Sequence, residues 1–328
     1  MSTITTGPVA DATPMTDAPR FDNRVAFAEE LIALAEADER IVAVCNDSVG
    51  SSNLVGFRER FPDRLINVGI AEQDMVGVGA GLANAGLVPF VCGAAPFLTG
   101  RSLEQIKADV AYSQLPVILC GMSPGVAYGE LGPTHHSVED FSWLRALPGL
   151  DVLVPADRSQ TRVALRQAAR HPRPTFIRIG RHKVPDLPTE TRELERGRFQ
   201  TVREGADVAI IAAGTLVSRA LTAAAALDAQ GVSAKVLNAV YIAPFDEAAV
   251  LAAARDTRAI VTAEEANVAG GLGAAVAATV VAGDHRIPME ILGFRDFAPT
   301  GSADFLLERS GLTAEGVRAA ALAALERR

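Results

Sequence analysis

Short apolar runs recur along this chain, and nearly every one is followed by a segment with helical spacing. Residues 41–45, 65–68, 87–92, 116–120, 152–155 and 175–179 read as strands. Residues 25–37, 71–85, 101–114 and 159–170 read as helices, the last with Asp157 placed to cap it. A strand that is apolar at every position, not at alternate ones, needs cover on both faces. Alternating helices supply that cover, so the pattern predicts a parallel sheet sandwiched between helices.

The pattern breaks at Arg181, where a stretch rich in Pro, Arg, Glu and Thr carries no apolar period. A second alternating unit follows. Its strands are expected at 208–212, 235–240, 259–263 and 288–292, and its helices at 218–230, 247–254, 271–282 and 314–327. The expected fold class is therefore α/β, with two α/β domains. The boundaries read as a tail at 1–19, a domain at 20–183, a linker at 184–203 and a smaller domain at 204–328. Two domains also suit a chain of 328 residues.

Composition excludes several classes. With 49% hydrophobic and 21% charged residues, the chain is neither largely disordered nor collagen-like. A net charge of −8 argues against a nucleic-acid or anionic-membrane surface. Residues 75–99 are uncharged and long enough to cross a bilayer, but they contain Asn84, Pro89 and Pro96, and Glu72 and Asp74 stand at their start. A buried helix, a turn and a buried strand fit this stretch better. The Ser/Thr/Pro/Ala-rich tail has no basic start and no apolar block, and reads as disordered, not as a signal peptide. Cys45, Cys92 and Cys120 sit far apart in apolar runs and read as buried strand thiols of a reducing cytoplasm.

Three features carry chemistry. Glu72 stands between a strand end and an almost chargeless Gly/Ala helix. It is either a helix-start acid favoured by the macrodipole or a desolvated carboxylate that shares a proton with a ligand nitrogen, its pKa raised by burial. His135 and His136 lie in a Gly/Pro loop between a strand and a helix. Substrate contact ranks first for them, two solvated imidazoles second, and a metal site with Glu139 and Asp140 third. Arg24, Arg101, Arg145, Arg178 and Arg181 are scattered; one or two of them near the histidine loop would clamp a phosphate or carboxylate. The glycines of GVGAGLANAG fall inside a helix, where small residues serve close packing rather than phosphate binding.

Together, VGIAEQDMVGVGAGLANAGLVPF, RSLEQIKADVAYSQLPV and GELGPTHHSVED resemble the pyrimidine-binding domain of transketolases. VTAEEANVAGGLGAAVA and the late GLTAEGV resemble the transketolase C-terminal domain. The resemblance runs from Arg20 to the end. The diphosphate-binding domain of that family, with its Gly-Asp-Gly motif, has no counterpart in this sequence. The chain thus resembles the C-terminal subunit of a split transketolase. That implies thiamine diphosphate as cofactor, Mg2+ or another divalent metal held by an N-terminal partner subunit, an α2β2 assembly and sugar substrates. By the same resemblance Glu72 hydrogen-bonds the aminopyrimidine nitrogen, and His135 contacts substrate hydroxyls and aids proton transfer, with His136 beside it. Arg24, Ser52 and Arg181 match positions that bind the donor or its phosphate.

Three positions depart from the family pattern. The aromatic residue that stacks on the pyrimidine is replaced by Ala94, leaving Phe97 or Phe90 to substitute. The acid two residues before the Pro of Gly-Pro-Thr-His is Leu131, and a strand-end histidine is Ser123. The alternatives are a 2-oxo acid dehydrogenase β subunit, a deoxyxylulose-phosphate synthase-like enzyme, and a noncatalytic assembly subunit.

Overall fold

The computed structural model describes Met15 and residues 18–327. The expected tail lies almost wholly outside the described residues. In chain order the strands are β1 (Arg20–Phe21), β2 (Ile41–Cys45), β3 (Leu65–Asn67), β4 (Val88–Ala94), β5 (Ile118–Met122), β6 (Asp151–Leu153), β7 (Thr175–Ile179), β8 (Val184–Pro185), β9 (Gln200–Arg203), β10 (Val208–Ala212), β11 (Ala234–Asn238), β12 (Tyr241–Ala243), β13 (Ala259–Asn267) and β14 (Met289–Phe294). Seven form one sheet in the order β12-β6-β7-β5-β4-β2-β3, and five form a second in the order β14-β13-β10-β11-β9. All neighbours in the first sheet run parallel except β12 with β6. In the second, only β9 with β11 is antiparallel. β1 and β8 make a small antiparallel ribbon.

Strands β2, β5, β7 and β10 are buried at all five positions, which is why their sequences show no polar alternation. Successive side chains still point to opposite faces. Phe90 and Cys92 face a cluster with Phe27, Leu31 and Leu165 on one side of the first sheet. Val91, Leu119 and Phe176 face a cluster that also holds Ile211, Ile260 and Leu272 of the second unit. A third cluster, with Leu216, Val261 and Val317, covers the far face of the second sheet. The middle cluster joins the two sheets through shared apolar packing, each buried side chain contributing roughly 1.5–3 kcal/mol.

The structure redraws several expected elements. Residues 235–240, expected as one strand, mark the point where the chain passes from β11 to β12. β12 crosses to the edge of the first sheet, and Val154 N–H donates to Val240 O at 2.8 Å. Residues 184–203 carry β8 and β9 and are tied down by Arg196, whose guanidinium binds both Asp151 oxygens at 2.7 and 2.6 Å. These strands are two to four residues long and take their geometry from neighbours, so no period announces them. β4 runs on to Ala94, and a helix begins at once, Ala95–Arg101, six residues before the expected start. Beyond it, Ile106–Tyr112 winds as a wider π-helical turn. β13 continues to Asn267 and carries Glu264 and Glu265 into the interior.

Among the described residues no helix is long and apolar enough to cross a membrane. Cys45, Cys92 and Cys120 are free and buried, in register on β2, β4 and β5. Burial pushes the Cys45 thiol up to about 11 and raises Cys92 as well, so both are protonated and unreactive at neutral pH.

The order of the first sheet reverses between β2 and β4. From β2 the chain leaves toward β3 on one side; from β4 it leaves toward β5 on the other. The connections diverge there, which makes the carboxyl ends of β2 and β4 the switch point of the sheet. Asn46 follows β2, Ala94 ends β4, and Glu72 begins the helix Glu72–Asn84 after β3.

Candidate active site

Glu72 is 4% exposed and heads a helix whose preceding residue offers no side-chain cap. Its Oε1 accepts from Asn46 Nδ2 at 2.8 Å and from Arg101 at 3.0 Å. Burial pushes its pKa up, but its own backbone N–H, Arg101 and Asn46 outweigh burial and hold it below the ordinary carboxylate value. The expectation of a raised pKa is therefore corrected: at neutral pH Glu72 is an anion and an acceptor. Behind it, Asn46 Oδ1 accepts from the Ser48 hydroxyl, which lies 3.3 Å from the hydroxyl of buried Ser52. Arg24 closes the far end of this line. It donates to Ser51 O at 3.0 Å, and Asp22 matches its charge at 2.6 Å.

The second part is the loop after β5. Gly125 and Ser137 exchange backbone hydrogen bonds of 3.0 and 2.8 Å and close a neck. The tip between them carries both histidines, which separate. His136 is buried, with Nε2 3.4 Å from Gly129 O, and burial lowers its pKa, so it is neutral at pH 7. His135 is half-buried at the rim. Its ring meets Phe97 edge-on at 5.1 Å and Tyr128 at 6.4 Å, and its Nδ1 lies 3.0 Å from the Thr134 hydroxyl.

Cations complete the line. The Arg101 guanidinium lies over the Phe97 ring at 4.2 Å, and Arg181, just past β7, lies over Tyr128 at 5.2 Å. Glu72, Arg101, Phe97, His135, Tyr128 and Arg181 thus form one continuous set of contacts along the carboxyl edge of the first sheet. Phe90 is elsewhere: it is fully buried in the core beneath that edge. Leu131 is 56% exposed at the loop tip, and Ser123 is buried with φ +55° and an unpartnered hydroxyl. Among the described residues no group of three or more His, Cys, Asp or Glu gathers to hold a metal ion. Asp140 pairs instead with buried Arg178, at 2.9 and 3.2 Å.

Sequence reasoning missed Asn46, Tyr128 and the pairing of Arg101 with Glu72. Asn46 carried a usable signal, because it directly follows a parallel strand. The Arg101 pairing spans 29 residues and had none.

Residues 20–186 match the family model of the transketolase pyrimidine-binding domain, and residues 197–317 match that of the transketolase C-terminal domain. The chain belongs to the transketolase family. An apulose-4-phosphate transketolase subunit of Phocaeicola vulgatus is 42% identical over 91% of this chain and 96% of its own length. The 6-deoxy-6-sulfo-D-fructose transketolase subunit of a Clostridium species is 40% identical over 93% and 95%. A solved split-gene transketolase, described as an inactive beta4 tetramer, superposes with a TM-score of 0.84 at 37% identity, over 93% of this chain and 98% of that one. Transketolase domains of this kind imply dependence on thiamine diphosphate. In this transketolase chain the buried, anionic Glu72 stands beside Arg101, which lies over the Phe97 ring.

Proposed function

We propose that this chain is the C-terminal subunit of a two-chain transketolase that moves a two-carbon ketol unit from an anionic ketose to an aldehyde. Its active site is completed by an N-terminal, diphosphate-binding subunit. The observation that carries this reading is Glu72: a buried, ionised carboxylate at the sheet's switch point, continuous with Phe97, His135 and Arg181. When bound, thiamine diphosphate supplies the carbon nucleophile and the electron sink.

The residues of this chain divide the remaining work. Glu72 would accept a hydrogen bond from the pyrimidine ring nitrogen in place of the one from Arg101, whose side chain is half exposed. Phe97 takes the place of the missing aromatic at Ala94. His135 donates to, and takes protons from, substrate oxygens at the rim. Arg181 attracts the anionic end of the sugar, with Arg24 and Ser52 behind the switch point. His136, sealed beneath the tip, holds its shape.

The divalent metal is assigned to the partner subunit, which brings the diphosphate site, and the assembly to α2β2. The inactive state of the related beta4 tetramer supports the need for a second subunit. Residues 20–183 form the pyrimidine-binding domain and 204–328 the C-terminal domain, joined through 184–203. The unreactive thiols suit a reducing cytoplasm. Leu131, apolar and exposed where the family carries an acid, suits an acceptor with fewer hydroxyls, and the names of the two relatives point to phosphorylated or sulfonated ketoses as donors.

The test is ketol transfer by the co-expressed pair with apulose 4-phosphate, 6-deoxy-6-sulfo-D-fructose and xylulose 5-phosphate as donors and D-glyceraldehyde 3-phosphate as acceptor. Turnover of at least one donor by the pair, and of none by either subunit alone, is expected. Turnover of none by the pair would defeat the proposal.

A further inference from the structure

The loop that carries His135 belongs to the first sheet, yet the second unit holds its neck. Glu265, near the end of β13, is buried and makes no ion pair among the described residues. One carboxylate oxygen accepts from Val126 N–H at 2.9 Å and the other from the Thr215 hydroxyl at 2.6 Å. Val126 is on the first arm of the neck; Thr215 belongs to the second unit. The other arm is fastened to the same residue through its backbone. Arg178 donates to Ser137 O and to Glu265 O, each at 2.9 Å, and Asn267 N–H donates to Val138 O at 2.6 Å. Gly125 shows how tight the fit is: at φ +64°, a Cβ added there would stand 2.1 Å from Glu265 Oε1. Only glycine allows that approach. At the tip, Gly301 N–H donates to Gly129 O at 3.1 Å, so the second unit grips the loop there as well.

We infer that Glu265 is a positioning residue for ketol transfer: from the C-terminal domain, it fixes the neck of the 125–137 loop and thereby sets where His135 meets the substrate. The inference rests on the proposed role of His135. Chemistry at the rim tolerates little displacement; a misplacement of about 1 Å costs up to about 10²-fold in rate. The requirement is for an acceptor facing Val126 N–H and a hydrogen-bond partner facing the Thr215 hydroxyl, not for charge. A glutamine at 265 meets it, its carbonyl accepting from Val126 N–H and its amide donating to Thr215 Oγ1. An alanine leaves the Val126 N–H and the Thr215 hydroxyl without these partners.

The experiment uses the co-expressed complex, on the donor that the wild-type pair turns over. Glu265→Ala is expected to lower kcat by about 10–100-fold with thiamine diphosphate affinity unmoved, and Glu265→Gln to restore most of the loss. In a His135→Ala background, Glu265→Ala is expected to add nothing, because both changes remove the same contribution. A loss that adds in full to that of His135→Ala, or that Glu265→Gln does not restore, would overturn the inference and leave a structural role only. If Glu265→Ala fails to fold, Thr215→Val, which removes one of the two carboxylate contacts, takes its place. A readout free of turnover is the ring NMR signal of His135, which should move in Glu265→Ala and stay in Glu265→Gln; an unmoved signal in both would contradict the inference. Full transfer by His135→Ala would instead defeat the proposed role of His135.

Discussion

The two sheets end in the same device, and the ends behave differently. In each, a glutamate lies at the carboxyl edge of a parallel sheet and at the start of a Gly/Ala-rich helix: Glu72 as the first residue of its own helix, Glu264 on β13 facing the first N–H groups of the helix Leu272–Ala282. Both are buried. Glu264 accepts from Leu272 N–H at 2.7 Å and Gly273 N–H at 2.8 Å, and burial still pushes it up to about 7, because these bonds do not offset the loss of water. Glu72 has a guanidinium and an amide in addition, and is held low. What distinguishes the two ends is therefore not burial but the partner. Arg101 is 51% exposed. The partners of Glu264 are backbone and cannot leave. The proposed role of Glu72 rests on that difference: its counter-group is an exposed side chain, whereas that of Glu264 is the chain itself.

The comparison breaks first at Glu72. Glu72→Ala in the complex should lower ketol transfer on the order of 10³-fold, with a thermal midpoint close to wild type, as read by steady-state rates and calorimetry. Full transfer would end the assignment. Glu264→Ala should do the reverse, leaving rates within a fewfold and lowering Tm by roughly 5–15 °C, since two helix-start N–H groups lose their acceptor.

A finer test is pH. The folded pKa of Glu264 is raised, so its contribution to stability is whole below about 4.5 and is lost as pH rises toward about 7. The loss amounts to about 3 kcal/mol at 1.36 kcal/mol per unit. Denaturant titrations at pH 5 and pH 8 should show most of it in wild type and not in Glu264→Gln; an equal change in unfolding free energy in the two proteins would refute the difference between the two acids. The smallest effect is expected at Arg101. Its ion pair is half exposed, so Arg101→Ala should change stability by less than about 1 kcal/mol. It should also bring the Glu72 pKa up toward the ordinary carboxylate value, visible as a shifted acid limb of the pH–rate profile.

Much of the scaffold was legible because its causes are local. Continuous apolar runs announced β2, β5, β7 and β10, and a chargeless helix behind Glu72 marked the switch point. What escaped depends on partners distant in the chain. β9 and β12 are short edge strands defined by the sheets they join, and the extension of β13 hides two charged residues whose partners are met only in the folded state. The site divides the same way. Glu72 and His135 stood out by residue type and place, Phe97 and Arg181 only through the family resemblance, and only the fold separates Phe97 at the rim from Phe90 in the core, or rim His135 from sealed His136. The downward shift of Glu72 could not be read at all without Arg101 and Asn46 in position.

The central claim is that this chain holds half of a cofactor site whose other half is on a partner. Calorimetric titration of thiamine diphosphate with Mg2+ into this chain alone, and into the chain co-expressed with an N-terminal transketolase subunit, tests it most directly. Binding only in the mixture, lost in Glu72→Ala, is the predicted result. Tight binding by the chain alone, or no binding in either sample, would contradict it.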